Sequence, residues 1–241
     1  MHPVKSGFNM KMPPLVIDEI ILLIDTYYKI CATDDKALQH LYREDLSTTI
    51  RGLPFFPEHK NNPKFRNVAG MTLLLMNIDN VVTKKWPITK LSKLKLEIIK
   101  RYEHDPLMLR NIAQAIKLIS FSQGVYGLPP IPNRVFLGGN LLLGYHIQLE
   151  TISNMAIQVQ KNLVGLNIST CSICSNDLSN IYNSRATNLL ELHFAAPIEW
   201  YAENKPPTTS QFIFLCPNCH RFAHSDVSLF DEKTLRDAIK F

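Results

Sequence analysis

Long hydrophobic runs are missing from this sequence. The longest aliphatic run, Ile20 to Ile24, is bounded by Asp18, Glu19 and Asp25. It falls far short of the roughly 20 apolar residues that a bilayer-spanning helix needs, so no membrane partner is expected. The opening stretch MHPVKSGFNMKMPP has no apolar segment ending at a small-residue cleavage site, so no secretory signal is expected either. Internal repeats and low-complexity tracts are also missing, which excludes repeat arrays and biased tails as organising features. Cysteine is scarce, with five in 241 residues. The expectation is a soluble cytoplasmic protein with enough chain for one large domain or two smaller ones.

The charge is unevenly spread. From Cys171 onward there are six Lys and Arg against eight Asp and Glu, a net of −2, while the first 170 residues carry 20 against 13, a net of +7. The densest basic stretch, TKKWPITKLSKLKLEIIKR at 83–101, has seven basic residues opposed by Glu97 alone. Such a run points to a polyanion partner. It also fits the solvated face of an amphipathic helix, because Leu91, Leu94 and Ile98 fall at i, i+3 and i+7. Lys64, Arg66, Lys84, Lys85, Lys93, Lys95 and Arg221 are the candidate nucleic-acid contacts. Arg66 has a second reading, as the internal cap of a loop.

Pro13 and Pro14 precede LVIDEIILLIDTYYKI, a helical pattern ending near Cys31. Cys31 reads as a small buried hydrophobe. A second helix is expected from Asp34 to about Arg51, with Leu38, Leu41, Leu46 and Ile50 inward. GLPFFPEHKNNPKF is a loop by its prolines and asparagines. MTLLLMNID favours a helix, and two more are expected near 89–103 and 106–121. GVYGLPPIPNR, 124–134, carries three prolines and two glycines and suggests a boundary. The expected organisation is a helical domain over 1–130, a connection over 131–170 that includes a helix at 143–161, and a metal module over 171–241. The expected fold class is α+β, with a mainly helical N-terminal domain.

Four of the cysteines form two C-x-x-C pairs, Cys171 with Cys174 and Cys216 with Cys219. Each pair can close one edge of a tetrahedron around a single Zn²⁺. The 41 residues between the pairs must therefore fold into something. They offer strand-like NLLELHF (188–194) and QFIFL (211–215), with a helix opening near Asn218. His220 and His224 lie at i and i+4 and share one helix face. His193 on the first strand adds a third imidazole. Cysteines already fill the zinc site, so the three histidines would form a second one; three imidazoles with open positions suit a catalytic ion. The same histidines could also simply cap or pack.

LELHFAAPIEW, TTSQFIFLCPNCHRFAH and the tail DEKTLRDAIK resemble the HNH endonucleases of the His-Me finger class, in their four-cysteine, McrA-like branch. FRNVAGMTLLLMN (65–77) is similar to the FRNxxGV segment of the helical domain that often precedes such modules. GGNLLLGYHIQLE resembles their connecting stretch. The resemblance implies an α+β chain, a mainly helical N-terminal domain followed by a zinc-stabilised ββα-metal (HNH) module, that works as a metal-dependent DNA endonuclease in restriction or phage defence. It makes Cys171, Cys174, Cys216 and Cys219 structural zinc ligands. It makes His193, His220 and His224 the catalytic residues, as ligands of Mg²⁺ or another divalent metal. DNA is the implied substrate, with a homodimer or a defence complex as the implied assembly.

The sequence departs from that pattern at two places. Where the family has its general-base histidine this chain has Phe194, and where the base is usually oriented by Asn or Asp it has Gln211. A phenylalanine cannot accept a proton. A one-residue strand bulge could move His193 into the base role. Another group, such as His146 or a partner's residue, could supply the base. Or the module could keep its fold and DNA binding as a weak or inactive nuclease serving binding or complex assembly. A zinc-ribbon adaptor would account for the cysteines but not for the histidines.

Overall fold

The computed structural model describes residues 11–84, 91–121, 140–162, 168–182, 186, 189–203 and 205–239. Lys85 and the loop at 124–134 lie outside the described residues. Among the described residues the chain is mainly helical with one small antiparallel sheet. None of the described helices is long and apolar enough to cross a membrane. The chain divides into two compact units, with the division falling between Leu109 and Arg110.

In the first unit, α1 (Ile17–Cys31), α2 (Lys36–Gly52) and α3 (Val68–Val82) pack on one another, and α4 (Lys93–Tyr102) packs on α1. The run Ile20 to Ile24 is almost wholly buried at their centre, with Leu46, Ile50, Met71, Leu75 and Ile78. Asp35 caps α2 by accepting from the backbone of Ala37 and Leu38, and Ser92 caps α4. Two inward expectations are corrected. Leu41 is 57% exposed, because it sits on the outer side of α2, away from Leu46 and Ile50. Cys31 is exposed, as the last residue of α1, beyond the buried stretch.

The FRN segment is structural in each of its residues. Phe65 is buried in the core. Arg66 is buried and meets Glu19 through two bonds, Nε to Oε1 at 2.8 Å and an Nη2 to Oε2 at 2.9 Å. The same Nη2 donates to Pro14 O at 3.0 Å. Asn67 caps α3 by accepting from Gly70 N at 2.9 Å. A Cβ at Gly70 would come within 3.1 Å of that Asn67 Oδ1, so the cap favours glycine there. Arg66 has φ of 48°, a left-handed backbone that its ion pair and the bond from Ser47 Oγ to its carbonyl, 2.8 Å, hold in place.

The second unit carries α5 (Pro106–Phe121) from Arg110 on, α6 (Leu141–Thr151), α7 (Asn154–Asn162), α8 (Ser179–Tyr182), β1 (Glu191–Phe194), α9 (Ile198–Ala202), β2 (Phe212–Leu215), α10 (Pro217–Ala223) and α11 (Glu232–Ala238). The expected single helix at 143–161 is two. Ser153 Oγ bonds the carbonyl of Leu149 and receives Ala156 N at 3.0 Å, so it closes α6 and starts α7. Both helices belong to the same unit as the cysteines. β1 and β2 pair in regular antiparallel register, with His193 opposite Ile213 and Phe194 opposite Phe212. The strand has no bulge, so the shift of His193 by one residue is excluded.

The Arg66–Glu19 pair yields a stability prediction. Replacing one member leaves the other charge buried and unpartnered. Arg66→Met is expected to destabilise the chain by about 3–5 kcal/mol, read by urea unfolding. Adding Glu19→Gln should restore part of the loss. Equal stability of Arg66→Met and wild type would show that the buried pair is not holding the loop.

Candidate metal centres

The first centre is built by two backbone turns. Cys171 to Ser175 forms one, with Ser175 N bonded to Cys171 O at 3.0 Å and Ser175 in a left-handed conformation, φ 56°. It is fixed to β2 by Ser172 N to Phe214 O at 2.8 Å. Arg236 on α11 caps it by donating to the carbonyls of Ile173 and Ser172, at 3.1 and 2.6 Å. The other turn is the start of α10, where Cys216 is the N-cap and Pro217 opens the helix. The four sulfurs lie within 4.8 Å of one another, with Cys174 Sγ and Cys216 Sγ 3.9 Å apart. A tetrahedron with Zn–S bonds of about 2.3 Å has edges of about 3.8 Å, so this is a donor set that can hold one zinc ion.

The electrostatics point the same way. Burial works against the Cys171 thiolate, yet backbone hydrogen bonds at Cys216, Cys174 and Ile173 bring its pKa down to about 7. Cys219 is pushed up by burial and by its sulfur neighbours. Four thiolates at this spacing repel one another, and a divalent cation is what lets them ionise together. Ile173, Leu178, Leu215, Ala223 and Leu235 pack around the sulfurs as a small core of their own.

The second cluster forms where β1, α10 and α6 meet. The histidines singled out in the sequence, His193, His220 and His224, all converge on one carboxylate that the sequence reading missed, Glu150. Its side chain is 2% exposed. His193 Nδ1 lies 2.6 Å from Oε1, and His220 Nε2 and His224 Nε2 lie 3.1 and 3.0 Å from Oε2. His146, one turn before Glu150 on α6, brings Nε2 to 2.7 Å from Oε1. The backbone N–H of Phe194 also donates to Oε1 at 3.0 Å. Burial opposes the charge on Glu150, but the surrounding imidazoles outweigh it and hold the carboxylate ionised. Burial drives the His146 imidazole down to about 4, against the pull of Glu150.

The four donors His146, Glu150, His193 and His224 lie within 4.8 Å of one another. His220 stands beside this set. Its Nδ1 meets Glu191 Oε2 at 2.5 Å, and although burial works against its charge, Glu150 and Glu191 raise its pKa. His146 and His193 are sealed from solvent, while the side chains of His220 and His224 are 16% and 19% exposed. Solvent therefore reaches the cluster along the α10 edge. Phe194 is fully buried among Trp200, Tyr201 and Phe212. The Gln211 side chain is turned back on Thr208, accepting from its N–H at 2.8 Å, and orients no base.

A signal for Glu150 was present in GYHIQLE. His146 and Glu150 are at i and i+4, the same spacing as His220 and His224, within a helix whose other inward residues, Leu141, Leu142, Tyr145 and Leu149, are core. Of the basic residues singled out, Lys64, Lys84, Lys93 and Arg221 are exposed. Lys95 is half-buried, and burial together with the charge of Arg66 lowers its pKa. Arg66 is committed to Glu19, so the nucleic-acid role expected for it is replaced by the internal one. No protein-family model, no curated protein and no solved structure matches the chain.

The cysteine cluster is expected to be required for folding of its surroundings, because binding of a structural zinc is coupled to folding. Cys171→Ser should lose one equivalent of zinc per chain by elemental analysis, and strong chelators should melt the corresponding part of the wild-type transition. A variant with full zinc and an intact transition would overturn the assignment.

Proposed function

We propose that this chain is a metal-dependent phosphodiesterase of the HNH type that cuts DNA, in a restriction or phage-defence setting. The observation that carries this reading is the convergence of His193, His220 and His224 on one point, at the junction of a strand pair and the helix that follows it. Sequence spacing alone singled out these three histidines. The partly exposed side chains of His220 and His224 form the edge from which a phosphate would approach. A divalent ion held there would stabilise the negative charge that develops on a phosphate during in-line attack.

The chain's own residues set the limits of this chemistry. Phe194 carries no proton and is buried. His146 is sealed and faces Tyr201, with Nδ1 2.5 Å from its hydroxyl, so it does not replace the missing base. His220, on the partly exposed edge, has both ring nitrogens engaged, Nδ1 with Glu191 and Nε2 with Glu150, so the described residues supply no base in place of Phe194. In the first unit, the exposed Lys64, Lys84 and Lys93 supply the cationic surface for a phosphate backbone. The burial of Phe194 supports a second reading, in which the module binds DNA or assembles a complex without cutting.

Supercoiled plasmid, modified and unmodified, incubated with Mg²⁺, Mn²⁺ or Zn²⁺ should be nicked by the wild type. EDTA should stop nicking, and His224→Ala should slow it by about 10²-fold or more. A wild type silent with every metal and substrate would move the assignment to the non-cutting reading. For either reading, Lys84→Ala and Lys93→Ala should each lower the slope of log affinity against log salt by about 1. Unchanged slopes would remove the basic surface from the DNA contact.

A further inference from the structure

We propose that His146, Glu150, His193 and His224 hold a second, tightly bound transition-metal ion of the zinc class, two of whose ligands come from α6, outside the strand–strand–helix unit. This ligand set differs from the three-histidine set implied by the resemblance: His146 and Glu150 enter it and His220 leaves it. It holds whether or not the chain cuts DNA.

Three observations support it independently of the spacing. The first is that His146 Nε2, His193 Nδ1 and His224 Nε2 are buried and make no hydrogen bond, although each is within 3.0 Å of a Glu150 oxygen. Distance brings them together, but the N–H directions do not fit. Buried polar nitrogens without a hydrogen bond are rare and costly. Three of them aimed at one point share a cause, and a common cation supplies it.

The second is the outer contact of two of the rings. His193 Nε2 is 2.8 Å from Phe230 O. A carbonyl only accepts, so Nε2 carries the proton and donates. In the neutral ring, Nδ1 then turns a lone pair towards the carboxylate oxygen at 2.6 Å. Two lone pairs at that distance repel unless a cation lies between them. Donation of the outer N–H to a carbonyl is also how metal-bound imidazoles are commonly oriented. On His146 the outer nitrogen faces the Tyr201 hydroxyl.

The third is the dry shell. The Phe230 ring stacks on His146 with centroids 3.8 Å apart, and the rings of Phe194 and Tyr201 lie against it as well. Water has little room to satisfy these nitrogens. Three imidazoles and one carboxylate suit Zn²⁺ and its borderline neighbours, whereas Mg²⁺ prefers an all-oxygen octahedron with several waters. The ion is therefore of the zinc class and stays with the protein through purification.

The full-length protein, purified without added metal, should contain two equivalents of zinc-class metal per chain by elemental analysis. Its zinc X-ray absorption spectrum should average a sulfur shell with a nitrogen and oxygen shell. That measurement needs no variant and does not depend on cleavage. Glu150→Gln and His146→Ala should each lose one equivalent and keep the sulfur-bound one. In the Co²⁺-substituted protein, thiolate charge-transfer bands should survive both substitutions. One equivalent per chain with a sulfur-only shell would overturn the proposal, as would Glu150→Gln retaining both equivalents. A silent nuclease assay with two equivalents bound would count against the cutting reading and leave the second centre standing.

Discussion

Everything around the second centre depends on one ionised carboxylate held out of water. A buried charge has to be met by opposite charge or by many hydrogen bonds, otherwise its desolvation is too costly. Glu150 accepts from the Phe194 N–H and pairs with His220, and the inner nitrogens of His146, His193 and His224 face it at 2.6–3.0 Å, where a shared cation would join them to it. That requirement fixes α6 against β1 and α10. Phe194 takes part through its backbone, whose N–H donates to Glu150, while its ring fills the aromatic core.

The two centres stabilise different parts of the second unit. The cysteine turns fasten β2, α10 and α11 and carry a small apolar core. The histidine cluster fastens α6 to β1 and α10 and is walled by Phe194, Tyr201 and Phe230. α10 belongs to both, through Cys219 on one side and His220 and His224 on the other. A seven-residue helix is marginal alone, and here both of its faces are held.

Much of this was legible in the sequence, and the reasons are local. The C-x-x-C pairs, the i, i+4 histidines and the alternating strands are short-range patterns, and the structure brings them where spacing suggested. FRN was visible as a segment, but its roles were not, because the partner of Arg66 is Glu19, 47 residues away. Glu150 left only the i, i+4 spacing with His146 as a local trace, and that trace does not say that it faces histidines from a distant strand and helix. Leu41 and Cys31 failed in the other direction, since helical periodicity gives a face but not where the neighbouring helices stop covering it.

The origin of Glu150 and His146 on α6 has a consequence for modularity. The segment from Cys171 onward, taken alone, contains every cysteine of the zinc turns, yet it is not a self-contained unit of function. Cut free at that boundary it would keep His193, His220 and His224 but lose the anion that gathers them and the ring that stacks on Phe230. The natural unit of inheritance and exchange for this cluster therefore begins no later than α6, and recombination between α6 and Cys171 would carry away two of its four donor side chains.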